Sequence, residues 1–434
     1  MTRADIIVIG AGAAGLMAAM QLSKSGQKVI VLEANNRIGG RIHTIYTNGL
    51  SLEMGPEFIH GDLPVSLHLL KDAGIGYRAS GGEMWRAHNG QLTHEGHFIK
   101  DWNVFEQRLQ ELDGDMTINE FLDKHFSGDQ YEELRTSVRQ YAAGYDNADP
   151  ARASAIALRK EWLEEDDAEQ HKINGGYMVM VNFLSGKTIE HSGSILKNTT
   201  VKEIRWRQDN VELITETGAV YSALKCIVTI PLGVLQAGYA SKCGVRFVPE
   251  LPAHAAALQS MGMGHVIKML FVFKEIFWKN EAITARAQGN MERMLFLFSD
   301  EKIPTWWTQY PDASPVLAGW LGGPDALALR EKSNDEIIAL AKVSLSGIFG
   351  LRVDEIDSIL DAVYVNNCPA DPYMLGSYSY ATVATSQALE LLNTPVANTL
   401  FFAGEAYYTG TEMGTVEAAL ATGKQVAEQI IKGK

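Results

Sequence analysis

The feature that most restricts the fold lies in the first 33 residues. Asp5 to Ile9 is a short run rich in Ile and Val and reads as a buried strand. Gly10-Ala11-Gly12-Ala13-Ala14-Gly15 follows as a GxGxxG match. Leu16 to Lys24 has helical character and stops at Gly26. Val29 to Leu32 is the next apolar run, with Glu33 at its carboxyl end, 23 positions after Gly10. A dinucleotide-binding βαβ unit places its acid about 20 positions on. The chemistry agrees with the spacing. Gly10 permits the tight turn, Gly12 lets the backbone approach a pyrophosphate, and Gly15 lets the helix pack closely on the strand. The helix N-terminus offers unpaired N–H groups to phosphates. Glu33 can accept hydrogen bonds from ribose hydroxyls, which favours FAD or NAD over NADP. The fold class expected is α/β, with α+β elements mixed in.

Composition narrows the class further. The chain has 434 residues, 46% apolar and 21% charged, as in globular proteins. That length suggests about three domains. The formal charge of −14 argues against nucleic acid or an anionic membrane as the main partner. Three widely spaced cysteines (Cys226, Cys243, Cys368) give no disulfide framework and no metal site, and the histidines lack metal-ligand spacing. A reducing, cytoplasmic setting is expected. No apolar run reaches the ~18 residues of a membrane span, so no membrane anchor is expected. Trp102 to Tyr145 reads as helical, Val211 to Ile230 as strands, and Ser333 to Phe349 as a helix capped by Ser333 and ended by Gly350. The acidic run Glu161 to Glu169 is either a solvated face or an entrance that attracts cations.

Directly after Glu33 comes Ala34-Asn35-Asn36-Arg37-Ile38-Gly39-Gly40-Arg41. This resembles the EAxxRxGGR signature of flavin-containing amine oxidases, the family of monoamine and polyamine oxidases. The resemblance recurs in the family's order at Gly55-Pro56-Glu57-Phe58-Ile59-His60-Gly61, Val201-Lys202-Glu203-Ile204, Ile227 to Leu235, Gly264-His265-Val266-Ile267-Lys268, Gly376-Ser377-Tyr378-Ser379-Tyr380, Phe402-Ala403-Gly404-Glu405-Ala406 and Gly414-Thr415-Val416. It implies a Rossmann-type FAD-binding domain formed by 1–60, 190–235 and 360–434. A substrate domain of mixed sheet and helices, from 61–189 and 236–359, would be interleaved with it, with a helical part at about 100–165.

The same resemblance implies the site. FAD would be held by Gly10, Gly12, Ala14, Gly15, Glu33, Gly40, Arg41, Gly55, Pro56, Glu57, Val201, Gly404, Glu405, Thr415 and Val416. Lys268 would hold a water beside the flavin, Tyr378 would form one wall of a substrate cage, and His60 would face the substrate. Ser377 stands where monoamine oxidases carry their flavin-linking cysteine, so the FAD is expected to be non-covalent. The second cage aromatic falls at Thr411 or Glu412, with Tyr407 and Tyr408 as substitutes. Cys368 takes the place of a family tryptophan. Glu57 and Glu412 are candidate anchors for a second ammonium. A small-molecule amine is the expected substrate, of polyamine type by preference, with O2 as acceptor and a monomer or homodimer as the assembly. A flavin L-amino-acid oxidase, a natural-product tailoring oxidase and a non-catalytic flavoprotein are the competing readings. The amino-acid oxidase would need an arginine clamp from among Arg86, Arg159, Arg286 and Arg293.

Overall fold

The computed structural model describes residues 2–88, 90–94, 99–164 and 170–433. Its mixed α/β fold is built on two large sheets. The first is parallel and five-stranded, in the order Ser194–Leu196, Val29–Leu32, Ile6–Ile9, Lys225–Val228, Leu400–Phe402. All four residues of Ile6–Ile9 and of Val29–Leu32 are buried, as a strand covered on both faces requires. The two-residue period then divides them. Ile6, Val8, Val29 and Val31 point into one core, while Ile7, Ile9, Ile30 and Leu32 point into another.

Helices Ala13–Lys24, Met178–Glu190, Pro64–Ala73 and Val416–Lys432 contribute buried residues to the first core. A second five-stranded sheet, which includes Val201–Arg207 and Asn210–Thr215, covers the other face. Gly15 belongs to this packing. A Cβ built there would lie 2.1 Å from the Gly10 carbonyl oxygen, so only glycine lets the helix sit this close to the strand.

The other large sheet has eight strands, and Val266–Phe273 lies second from its edge, between Val316–Gly322 and Leu360–Asn367. Every residue of Val266–Phe273 is buried. Ile267, Met269, Phe271 and Phe273 pack with residues of the helix Asn334–Phe349, including Ile337 and Leu345. Leu270 and Val272 face the opposite side with Trp307 and Val316. Lys268 shares the parity of Leu270 and Val272, so the strand delivers it to that second side. The expected caps of Asn334–Phe349 are present. Ser333 and Glu336 form a capping box, and Gly350 ends the helix at φ 62°. A helical layer, Trp102–Gln110, Ile118–His125, Glu132–Gly144 and Ala155–Glu164, encloses its own core around Phe105 and Phe121.

The interleaving expected from sequence differs from the structure in its bounds. Pro64–Ala73 and Met178–Glu190, set apart with 61–189, pack on the parallel sheet. Leu360–Asn367, set with 360–434, is the edge strand of the eight-stranded sheet. The helices follow from the need to cover each sheet face with an adjacent apolar segment, whereas Leu360–Asn367 is held in the eight-stranded sheet by its pairing with Val266–Phe273. Among the described residues no helix is long and apolar enough to cross a membrane.

Gly15→Val is expected to cost about 1–3 kcal/mol through overpacking. A thermal or urea melt would show a lower midpoint. An unchanged midpoint would mean that the helix can move off the strand without loss.

Candidate active site

One cavity of 1390 Å³ reaches from the carboxyl ends of the parallel strands to the second face of the eight-stranded sheet. Of the residues expected to hold a dinucleotide, Gly10, Gly12, Ala14, Glu33, Gly40, Arg41, Gly55, Pro56, Glu57, Val201, Gly404, Glu405, Thr415 and Val416 line it. Gly15 does not, because it is spent on helix packing.

The fit to such a group rests on Gly12. A Cβ there would meet nothing nearer than the Gly39 carbonyl oxygen at 3.9 Å, so the chain's own packing does not call for glycine. The omitted side chain leaves open the space in front of the turn. Two helices, Ala13–Lys24 and Val416–Lys432, start at this wall, where Ala13, Ala14, Thr415 and Val416 line the cavity. The Glu33 carboxylate is fixed by the N–H groups of Ala11 (2.7 Å) and Asn35 (2.8 Å), one on each oxygen. Burial raises its pKa against those two bonds. Each oxygen keeps a lone pair for a hydroxyl. Arg41 ties the N-terminal segment to the C-terminal one, donating to the Ser377 carbonyl (2.6 Å) and to Glu405 (2.7 Å).

Glu57 is the centre of the other half of the site. Lys268 Nζ donates to Glu57 Oε2 at 2.9 Å and to the Gly55 carbonyl at 3.0 Å. Trp307 Nε1 also donates to Oε2, at 3.0 Å. Lys172 Nζ (2.9 Å) and Gln309 Nε2 (3.0 Å) donate to Oε1. The side chains of Glu57, Lys172 and Lys268 are only 4%, 6% and 2% exposed, so this is a buried ion cluster. Burial alone would lift the Glu57 carboxyl, but the two ammonium groups hold it well below the usual carboxylate range. Glu53 lies beside this cluster, with the Tyr177 N–H on its carboxylate at 2.6 Å. Burial pushes Glu53 up to about 7 despite that bond and the charge of Lys268. The expected role of Glu57 as an ammonium anchor meets an obstacle here. Both oxygens are already filled by donors from within the chain, because two lysines that the strands bury need one carboxylate between them.

The walls around Lys268 are aromatic. Phe58, Phe296, Trp307, Trp320, Tyr145 and Tyr378 all line the cavity. Tyr378 stacks on Trp320 (6.5 Å, 30°) and donates its hydroxyl to the Tyr145 carbonyl at 2.7 Å. Trp320 is therefore the aromatic that stands against Tyr378. Thr411 and Glu412 line the cavity, but Tyr407 is buried against Phe402 and Tyr408 is not among the lining residues. Tyr407 packs in the core, and Tyr408 interacts with Glu412 at the rim of the lining. His60 lines the cavity beside Phe58 and Tyr145. Burial pushes its imidazole down to about 4, so it is neutral at pH 7. Cys368 packs with Val266 and Met374 and lines the cavity, its thiol pushed up to about 12 by burial. Ser377 is buried and bonded to Asn147.

Four residues of the cluster and walls have no counterpart among the sequence expectations: Lys172, Trp307, Gln309 and Trp320. Trp307 and Trp320 lie in strands with no polar–apolar alternation, so their sequence does not mark which face each ring takes. Lys172 sits in a four-residue strand without a motif, and only the fold brings it to Glu57. Of the acidic run, Glu161 lines the cavity, whereas 165–169 lie outside the described residues. Arg159 and Arg286 are engaged with main-chain carbonyls, and Arg86, on the cavity lining, lies 3.4 Å from Asp300.

The comparisons with known proteins agree with this geometry. The model of the flavin containing amine oxidoreductase family matches residues 13–100 and 83–431. Polyamine oxidase 4 of Oryza sativa subsp. japonica is 28% identical over 460 residues, covering 99% of this chain and 88% of that protein. Polyamine oxidase 2 of Arabidopsis thaliana is 28% identical over 455 residues, covering 98% and 87%. Among solved structures, wild-type putrescine oxidase bound to putrescine superposes with a TM-score of 0.80 at 19% identity, over 99% of both chains. The chain belongs to the flavin-containing amine oxidoreductase family.

Proposed function

We propose that the protein binds FAD without a covalent link and oxidises a C–N bond of a small-molecule amine. The product would be an imine, which water hydrolyses to an aldehyde and an amine or ammonia. The observation that carries this reading is the single cavity joining the Gly12 turn to the aromatic chamber at Lys268. The FAD-binding unit would be centred on 1–60, 190–235 and 360–434, with the adjustments of boundary described above. When bound, the flavin supplies a two-electron sink for the hydride equivalent that leaves the amine α-carbon, with O2, reduced to H2O2, as final acceptor.

The chain's own residues would bind and orient. Gly10, Gly12, Glu33 and Arg41 hold the nucleotide half, and Ser377 has no thiol with which to form a covalent link. Two hydrogen bonds of Lys268 are made to Glu57 and Gly55, and a third N–H remains to hold a water in the cavity. That water is placed to attack the imine. Tyr378 and Trp320, stacked on each other, form one wall beside the reacting amine, and Phe58 and Trp307 keep bulk water from it. His60, being neutral, can accept or donate one hydrogen bond without adding charge.

The names of the relatives favour a polyamine, but Glu57, the expected anchor for a second ammonium, is filled by donors from within the chain, so the reading commits to a small-molecule amine and not to a polyamine. An amino-acid substrate finds no free arginine pair in Arg159 or Arg286. The three buried, unpaired cysteines suit a reducing compartment such as the cytoplasm.

An anaerobic titration with monoamines, polyamines and L-amino acids tests the reading. One amine class should bleach the flavin absorbance near 450 nm (approximate). A flavin that no amine bleaches would sink it. Lys268→Met should retain flavin and slow turnover about 100-fold, the effect of losing a positioned proton-transfer group; an unchanged kcat would remove Lys268 from the chemistry. Gly12→Val should leave the apoprotein melting point within a degree or two (roughly, for a change without clash) and abolish flavin retention. Full flavin content would show that the turn does not face the cofactor. For His60→Gln, the pH limbs of kcat/KM between about pH 6 and 9 should match the wild type, because an imidazole held near 4 carries no charge there. Disappearance of a limb near 6.5 would show that the histidine titrates.

A further inference from the structure

We propose that Lys172 sets substrate specificity, by making the Phe58 and Trp307 side of the chamber reject any substrate that carries a second positive charge. The preferred substrate is an amine whose remaining body is uncharged and apolar. This rests on the amine-oxidase reading above and turns it away from polyamines, whose further nitrogens carry charge.

The first argument is a charge count. Glu57 is shared by Lys172 and Lys268, so the buried trio carries one net positive charge. The nearby Glu53 is held up to about 7 and cancels that charge only in part at neutral pH. A net positive wall is an odd choice for a site that receives amines. It is tolerable if only the reacting nitrogen enters, since that nitrogen must be deprotonated to give up a hydride equivalent. It is costly for a diamine, whose second nitrogen stays protonated.

The second argument concerns the rings. Aromatic faces attract cations through their quadrupole, and this is the usual means by which an aromatic chamber holds an ammonium. Here the chain's own cations take up that capacity. Lys172 Nζ lies 4.7 Å from the centroid of Phe58, and Lys268 Nζ lies 5.0 Å from that of Trp307. Phe58, Trp307 and Phe296 pack against one another at 5.8 to 6.3 Å. With ammonium groups already drawing on two of the three, they serve a ligand as apolar surface. Lys172 does not line the cavity. It acts through Phe58 and Glu57, and is a positioning residue.

The third argument is the saturation of Glu57. Its four donors leave no lone pair for a ligand. A second ammonium would have to displace one of them from a buried site.

The test compares hexylamine, 6-amino-1-hexanol and 1,6-diaminohexane as substrates of the flavin-loaded enzyme at about pH 7.5. Wild type should prefer hexylamine to the diamine by about ten- to thirtyfold in kcat/KM, the scale of one uncompensated charge at a partly screened distance. The alcohol, polar but uncharged, should fall between them. Lys172→Met removes the net charge and should narrow the monoamine-to-diamine ratio about tenfold, through KM with kcat little changed. Lys172→Arg should keep the wild-type ratio. A wild type that takes the diamine as well as hexylamine overturns the proposal, as does a Lys172→Met enzyme that loses both substrates in equal measure. If Lys172→Met does not fold, the wild-type series still decides. An alcohol rejected as strongly as the diamine would mean that polarity, and not charge, is excluded. If no amine reduces the flavin, the amine-oxidase reading fails. The same three ligands, followed by calorimetry, then show whether the chamber still discriminates by charge, and equal binding of hexylamine and diamine would sink the specificity proposal too.

Discussion

Two ammonium groups and one carboxylate, buried together, hold the functional half of this molecule in place. Glu57 receives Lys268, Trp307 and Gln309 from the eight-stranded sheet or its loops, and Lys172 from a separate short strand. None of these charges would tolerate burial alone. The cluster therefore fixes the segment 55–58, and with it Phe58, against the wall that Lys268 occupies. Removing one partner of such a cluster typically costs about 3–5 kcal/mol, because the other charges stay behind. The parallel sheet can be understood without this cluster, but the chamber cannot.

A second ion pair does the same work on the nucleotide side. Arg41 bridges to Glu405 and to the Ser377 carbonyl, joining segments more than 300 positions apart. Glu405 in turn accepts the N–H and the hydroxyl of Ser379. Tyr378 stands between Ser377 and Ser379, so its place against Trp320 is set by a residue of the glycine-rich signature. The two halves of the cavity are thus tied together at Arg41 as well as through the segment 55–58.

The N-terminal unit was legible because its rules are local. Strand, turn, helix and acid follow one another, and Gly10, Gly12, Gly15 and Glu33 each answer to a physical need within 33 residues. The cap at Ser333 and the stop at Gly350 were readable for the same reason. Lys268 could be singled out because a lysine in an apolar run needs a partner, yet nothing in the sequence said which. Lys172 has no local signature, and its meeting with Glu57 depends on how a four-residue strand pairs across the chamber. The place of Tyr407 was no more legible. Proximity in sequence to the flavin-side segment did not show that Tyr407 would be drawn into the core beside Phe402. Unit boundaries are hard to read for the same reason, because an amphipathic helix does not declare which of two sheets it will cover.

The order of strands in the parallel sheet bears on how the protein comes into being. Ile6–Ile9 is at the middle of the sheet and Lys225–Val228 beside it, but the outer neighbour of Lys225–Val228 is Leu400–Phe402. During synthesis, the ribosome delivers the first strand nearly 400 residues before the last. Once made, the Lys225–Val228 strand keeps an unpaired edge until Leu400–Phe402 follows, 172 residues later, and the helix Ala13–Lys24 lacks its neighbour Val416–Lys432 for longer still. Such an open, apolar edge invites pairing with other chains. That edge closes only when Leu400–Phe402 pairs with it, so the sheet is completed by one of the strands that the ribosome delivers last.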